Sequence, residues 1–155
     1  MKEKIYNILL ALFWGISGYT FALIVLESLF YLGIEIIELT IYKDFLLQIQ
    51  VLLLYGYILT YFGNSFVEEI IRFIIIKKLR IINPYGLLFG LSWGGIESIY
   101  RFSERGGEFG YSPILMHMLT SVIVCYFVKK NKATLGFIIA FLMHTSWNMI
   151  DLFVK

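Results

Sequence analysis

Adjacent carboxylates at Glu68 and Glu69 and a guanidinium at Arg72 interrupt an apolar run, Asn64-Ser-Phe-Val-Glu-Glu-Ile-Ile-Arg-Phe-Ile-Ile-Ile76. On a helix Glu68 and Arg72 are i,i+4 neighbours and Glu69 and Arg72 are i,i+3, so the three share a face. Further along stand Glu97 in a glycine-rich stretch, His117 in Leu-Met-His-Met-Leu-Thr, and His144 in His-Thr-Ser-Trp-Asn, with Asn148 at i+4. Carboxylates, imidazoles, an amide and a guanidinium are the groups that activate water and stabilise an oxyanion. Four of them, Glu69, Glu97, His117 and His144, would also suit a divalent metal such as zinc, which takes oxygen and imidazole ligands.

These residues fall at a common depth. Two basic loops, Lys77-Lys78-Leu79-Arg80 and Lys129-Lys130-Asn131-Lys132, mark one membrane face. At about 1.5 Å per helical residue, Glu69, His117, His144 and Glu97 lie roughly 12 to 20 Å from the ends of their helices on that side. Ionisable groups in a span cost roughly 2.5–3.5 kcal/mol each on insertion scales. Their convergence on one layer near mid-membrane therefore reads as a lined polar site. Around Glu97, Gly86, Gly90, Gly94 and Gly95 allow close helix approach, as small residues do in membranes.

The elements that must carry this layer follow from composition. Of 155 residues, 59% are hydrophobic, 18% aromatic and 15% charged, with mean hydropathy +0.80. A soluble domain would carry nearer a quarter charged residues. The reading is all-α: a polytopic integral membrane bundle of five to six transmembrane helices, one domain over 1–155 with its core at 64–151. A net charge of +2 gives no case for nucleic acid. The single cysteine, Cys125, excludes a disulfide or thiolate framework. The apolar stretch near the N-terminus is too long for a signal-peptide core and reads as a retained span at 5–33.

A short acidic amphipathic piece follows at 34–44, with Glu35 and Glu38. Residues 45–76 extend about 48 Å as helix, which implies one long tilted helix or two segments broken near Gly63-Asn64-Ser65. Spans at 85–100, 113–128 and 133–154 complete the chain, with Pro84 ahead of the first and a polar loop at 101–112. With five crossings and an inside N-terminus, eight loop and terminal cations fall inside and four outside, as the positive-inside rule prefers. A six-span arrangement with an outside N-terminus keeps both lysine-rich loops inside.

Glu68-Glu69-x-x-Arg72 resembles the EExxK/R motif of PrsW-type intramembrane proteases. The segment Gly90-Leu-Ser-Trp-Gly-Gly-Ile-Glu97-Ser-Ile-Tyr100 resembles their second motif, and His117 and His144-Thr-Ser-Trp-Asn148 their later histidine motifs. The wider relatives are the CAAX prenyl endopeptidases and bacteriocin-processing or immunity proteins. The resemblance covers roughly 65–151; it departs from the pattern in Arg72 for the commoner lysine and Trp93 for phenylalanine. It implies an intramembrane peptidase acting on a membrane-embedded or membrane-anchored protein or peptide in a prokaryotic cytoplasmic membrane. By it, Glu68 or Glu69 is the general base and Arg72 orients the other carboxylate. His144 and Asn148 donate to the oxyanion, and His117 and Glu97 position water or bind metal.

Structural readings stand beside these. Glu97 can pair with Arg101 at i+4, His144 with Asn148 can join helices, and Cys125 reads as a small apolar residue. Trp14, Trp93 and Trp147 read as lipid-facing bulk. A non-enzymatic scaffold or immunity protein, or a small proton-coupled transporter, would use the same polar layer.

Overall fold

The computed structural model describes residues 2–40, 45–81, 85–105 and 110–153. Almost all of these are helical, as an apolar chain without a barrel pattern must be if every backbone group is to be bonded away from water. The helices are α1 (Lys2–Thr40), α2 (Phe45–Ile58), α3 (Asn64–Leu79), α4 (Tyr85–Arg105), α5 (Ser112–Lys129) and α6 (Ala133–Phe153). A π-helical turn, Leu59–Gly63, joins α2 to α3 with helical dihedrals on both sides. The chain is thus an all-α bundle. Among the described residues three helices, in α1, α5 and α6, are long and apolar enough to cross a membrane.

Local chemistry sets the ends. Arg80 takes left-handed dihedrals (φ 51°) and its N–H returns to the Ile76 carbonyl, closing α3. Pro113 stands in the first turn of α5, where its missing N–H costs nothing. Asn131 (φ 56°) reverses the chain between α5 and α6, asparagine being among the residues that tolerate this region best.

Several boundaries differ from the sequence reading. The piece at 34–44 is not separate through Thr40; α1 runs straight on, because nothing in 34–40 breaks a helix. The polar loop expected at 101–112 begins later, since α4 continues through Arg105. Of the two arrangements read for 45–76, one long helix or two segments broken near Gly63-Asn64-Ser65, the chain takes an uninterrupted helical run with a π turn ending at Gly63, in which Asn64 N–H reaches back to Leu59 O. Pro84, Lys43 and Asp44 lie outside the described residues, as does the side chain of Asp151.

Glycines set the closest packing. A Cβ on Gly90 would stand 2.3 Å from the His117 carbonyl oxygen, and one on Gly94 2.6 Å from Ile114 Cα. The α4 and α5 backbones therefore touch, antiparallel, along Gly86, Gly90 and Gly94. Gly95, grouped with them in the sequence, faces open space. Antiparallel α3 and α6 interleave Phe66 and Phe73 with Phe137 and Phe141, so the Lys77-Lys78 end of α3 meets the start of α6. α1 packs parallel to α4, with Gly15 against Ser92 and Gly18 against Trp93. By contrast α2 leans outward: none of its described side chains is buried, and Tyr55 ties it to α1 through the Leu29 carbonyl (2.5 Å).

Candidate functional site

Four helices bring six of the sequence-predicted residues into one buried cluster. α3 supplies Glu68, Glu69 and Arg72; α4 supplies Glu97; α5 supplies His117; α6 supplies His144. Glu69, Arg72, His117 and His144 are each 0% exposed. The layer foreseen at mid-helix depth is a single hydrogen-bonded network.

Arg72 is its hub. One guanidinium nitrogen donates to Glu69 Oε1 and to Thr120 Oγ1 (2.5 Å), and the other donates to His117 Nδ1. Its guanidinium carbon lies 4.8 Å over the Trp93 ring. His117 passes the chain on from Nε2 to Glu97 Oε2, and Glu97 pairs in turn with Arg101. On the other side His144 Nδ1 meets Glu69 Oε1 at 2.9 Å. Arg101 is the partly exposed end of this chain; the opposite end is His144 Nε2, which has no hydrogen-bond partner among the described residues.

The two adjacent glutamates separate by partner. Spacing alone lets Arg72 reach either; packing gives it Glu69. Among the described residues Glu68 has no guanidinium ion pair. One of its oxygens accepts from the Trp93 indole (3.2 Å) and lies 3.5 Å from His117 Nε2. Glu69 and Glu97 are thus each held by an arginine, and Glu68 stands outside those two pairs.

Asn148 is not part of this centre. Its amide donates to Ser65 Oγ (3.0 Å), one turn before Glu68, and Ser65 in turn donates to the Tyr61 carbonyl of the π turn. Trp93 corrects the sequence reading: it is not lipid-facing bulk but 0% exposed within the site. Ser65 was likewise not foreseen as a contact, because a hydroxyl in an apolar run gives no signal until its neighbour is known. Trp147 is half exposed and donates to Ser112 Oγ, and Cys125 is buried against Gly86.

The donor set can be tested against zinc. One ligand atom each from Glu68, His117 and His144 lie within 4.8 Å of one another, a set that takes Glu68 rather than the expected Glu69 and Glu97. Guanidinium has donors only, so His117 Nδ1 accepts from Arg72 and Nε2 carries the ring proton that Glu97 receives. A nitrogen holding its proton cannot ligate a metal. Glu68 and His144 Nε2 remain, two donors where catalytic zinc takes three from protein. As bonded here, these three residues do not make a zinc site.

The fold and site together define a class, an all-α membrane bundle enclosing a carboxylate–imidazole network. Comparison with protein-family models, curated proteins and solved structures finds no match.

Proposed function

We propose that the chain is an intramembrane peptidase of the glutamate type, hydrolysing a peptide bond at or within the membrane with water activated by Glu68. The observation that carries this is a carboxylate outside the arginine ion pairs, Glu68, in one buried cluster with His144, whose Nε2 has no partner among the described residues. In the attack step a water oxygen bonds to the scissile carbonyl carbon while its proton passes to Glu68. Collapse of the tetrahedral intermediate breaks the C–N bond, and Glu68 returns that proton to the departing amine. Glu69 fixes the His144 ring through Nδ1, the orienting role a carboxylate plays for imidazole in hydrolytic triads. His144 Nε2 then faces the water or the oxygen of the intermediate. No step in this sequence is assigned to a metal.

In this reading the bundle crosses the cytoplasmic membrane of a prokaryote five times with a cytoplasmic N-terminus, its substrate being a membrane-embedded or membrane-anchored peptide. The alternating directions of α1, the α2–α3 segment, α4, α5 and α6, with both lysine-rich ends on one side, support it. The test is cleavage of a membrane-anchored peptide library by purified protein in nanodiscs, wild type against Glu68→Gln. Cleavage confined to the wild type is expected; equal cleavage by both would remove Glu68 from the chemistry.

The rival is a non-enzymatic scaffold. The contacts Arg72–Thr120, Arg72–His117, His117–Glu97 and His144–Glu69 all join different helices, and would serve assembly alone. Glu68 separates the readings, because it stands outside the arginine-held pairs. A scaffold would use it only as acceptor of the Trp93 indole, which a glutamine oxygen can still serve, so Glu68→Gln would then change neither stability nor any activity.

A further inference from the structure

Trp93 is the residue that the peptidase reading leaves unused although it touches both halves of the α3 cluster. It is fully buried, its indole N–H donates to Glu68 Oε2 (3.2 Å), and its ring lies under the Arg72 guanidinium at 4.8 Å. The ring is held by Phe89 (5.8 Å) on its own helix and by Tyr19 of α1 (6.0 Å, edge-on). A Cβ on Gly18 would stand 2.6 Å from Trp93 Cζ3, so α1 must be bare there for the indole to seat.

Building on that reading, we propose that Trp93 is a positioning residue for Glu68. Its N–H holds one carboxylate oxygen, leaving the other to water, while its ring face keeps Arg72 turned toward Glu69. The indole nitrogen is a donor and never an acceptor, so the contact favours a single arrangement of the carboxylate. A phenylalanine could supply the face but not the donor. The first helix thereby acquires a part in the chemistry although it carries no residue of the network: Gly18 and Tyr19 seat the tryptophan, and the tryptophan seats the base.

The test uses the full chain in nanodiscs, with Trp93 replaced by its benzothienyl isostere, which keeps the bicyclic shape and lacks the N–H. The infrared stretches of Glu68 are identified as the bands lost in Glu68→Gln. Expected are a Glu68 carboxyl stretch moved to higher frequency, an unchanged melting temperature, and about a tenfold fall in kcat at constant KM on any peptide the wild type cleaves. Gly18→Ala, which touches no network residue, moves the same band. A Glu68 band at its wild-type position in the isostere overturns the proposal, as does an unchanged kcat once the band has moved. A wild type that cleaves nothing while the isostere still shifts the band sinks the peptidase reading and upholds the Trp93–Glu68 contact.

Discussion

At the scale of single residues, the paired glutamates divide a job that their adjacency conceals. Glu69 is bonded to Arg72 and His144, so Glu69→Gln leaves a buried guanidinium without its counter-charge and costs about 3–5 kcal/mol. Denaturation in detergent should show a clear loss of melting temperature. Glu68→Gln removes no ion pair with an arginine; it should melt close to wild type while cleavage falls at least about a hundredfold. Arg72→Lys keeps the charge but gives up the planar fork that reaches Glu69, Thr120 and His117 together. It should therefore fall between these two in stability. The sequence displayed the residue types and their common depth, since ionisable groups inside apolar runs stand out. It did not display the division, because i,i+3 and i,i+4 spacing admit both pairings of Arg72. Nor did it display Trp93, whose burial depends on a glycine 75 positions away on another helix.

At the scale of elements, glycine on α4 decides how near α5 can come. Gly90→Ala and Gly94→Ala each drive a methyl into the α5 backbone, costing roughly 1–3 kcal/mol and pushing His117 away from Glu97. Gly95→Ala meets nothing within 4 Å and should melt as wild type, which makes it the matched control. The helical segments at 85–100, 113–128 and 133–154 were legible because apolar length and a proline or lysine run bound them. The continuation of α1 through Thr40 was not, since glutamates at 35 and 38 look like a surface segment while forming helix as readily as their neighbours. The π turn was half legible: the small polar residues near 63 marked a discontinuity, but only backbone geometry could show that the helix widens there rather than stops.

At the scale of the whole molecule, charge and ligand supply make two predictions. Purified protein should hold metal well below one equivalent, and chelation should leave both melting temperature and cleavage unchanged, because His117 Nε2 is committed to Glu97. Elemental analysis and a melt with chelator read this directly. In Cys125→Ser protein, a cysteine placed at Asn131 should react with impermeant maleimide from the cytoplasmic side, and one placed at Tyr111 from the opposite side. The reverse labelling would invert the topology while leaving the bundle as described.

Burial of the Arg72 hub and its immediate partners has a consequence for tempo. With Glu69, Arg72, His117 and His144 all at 0% exposure, a peptidase built on this centre would rest latent, closed to a peptide until the helices part. Turnover would then be set by how often they part, as in enzymes whose lid motion governs kcat. A thinner or softer bilayer should speed cleavage with no change at the chemical groups, and the same protein would act as a reporter of the membrane that surrounds it.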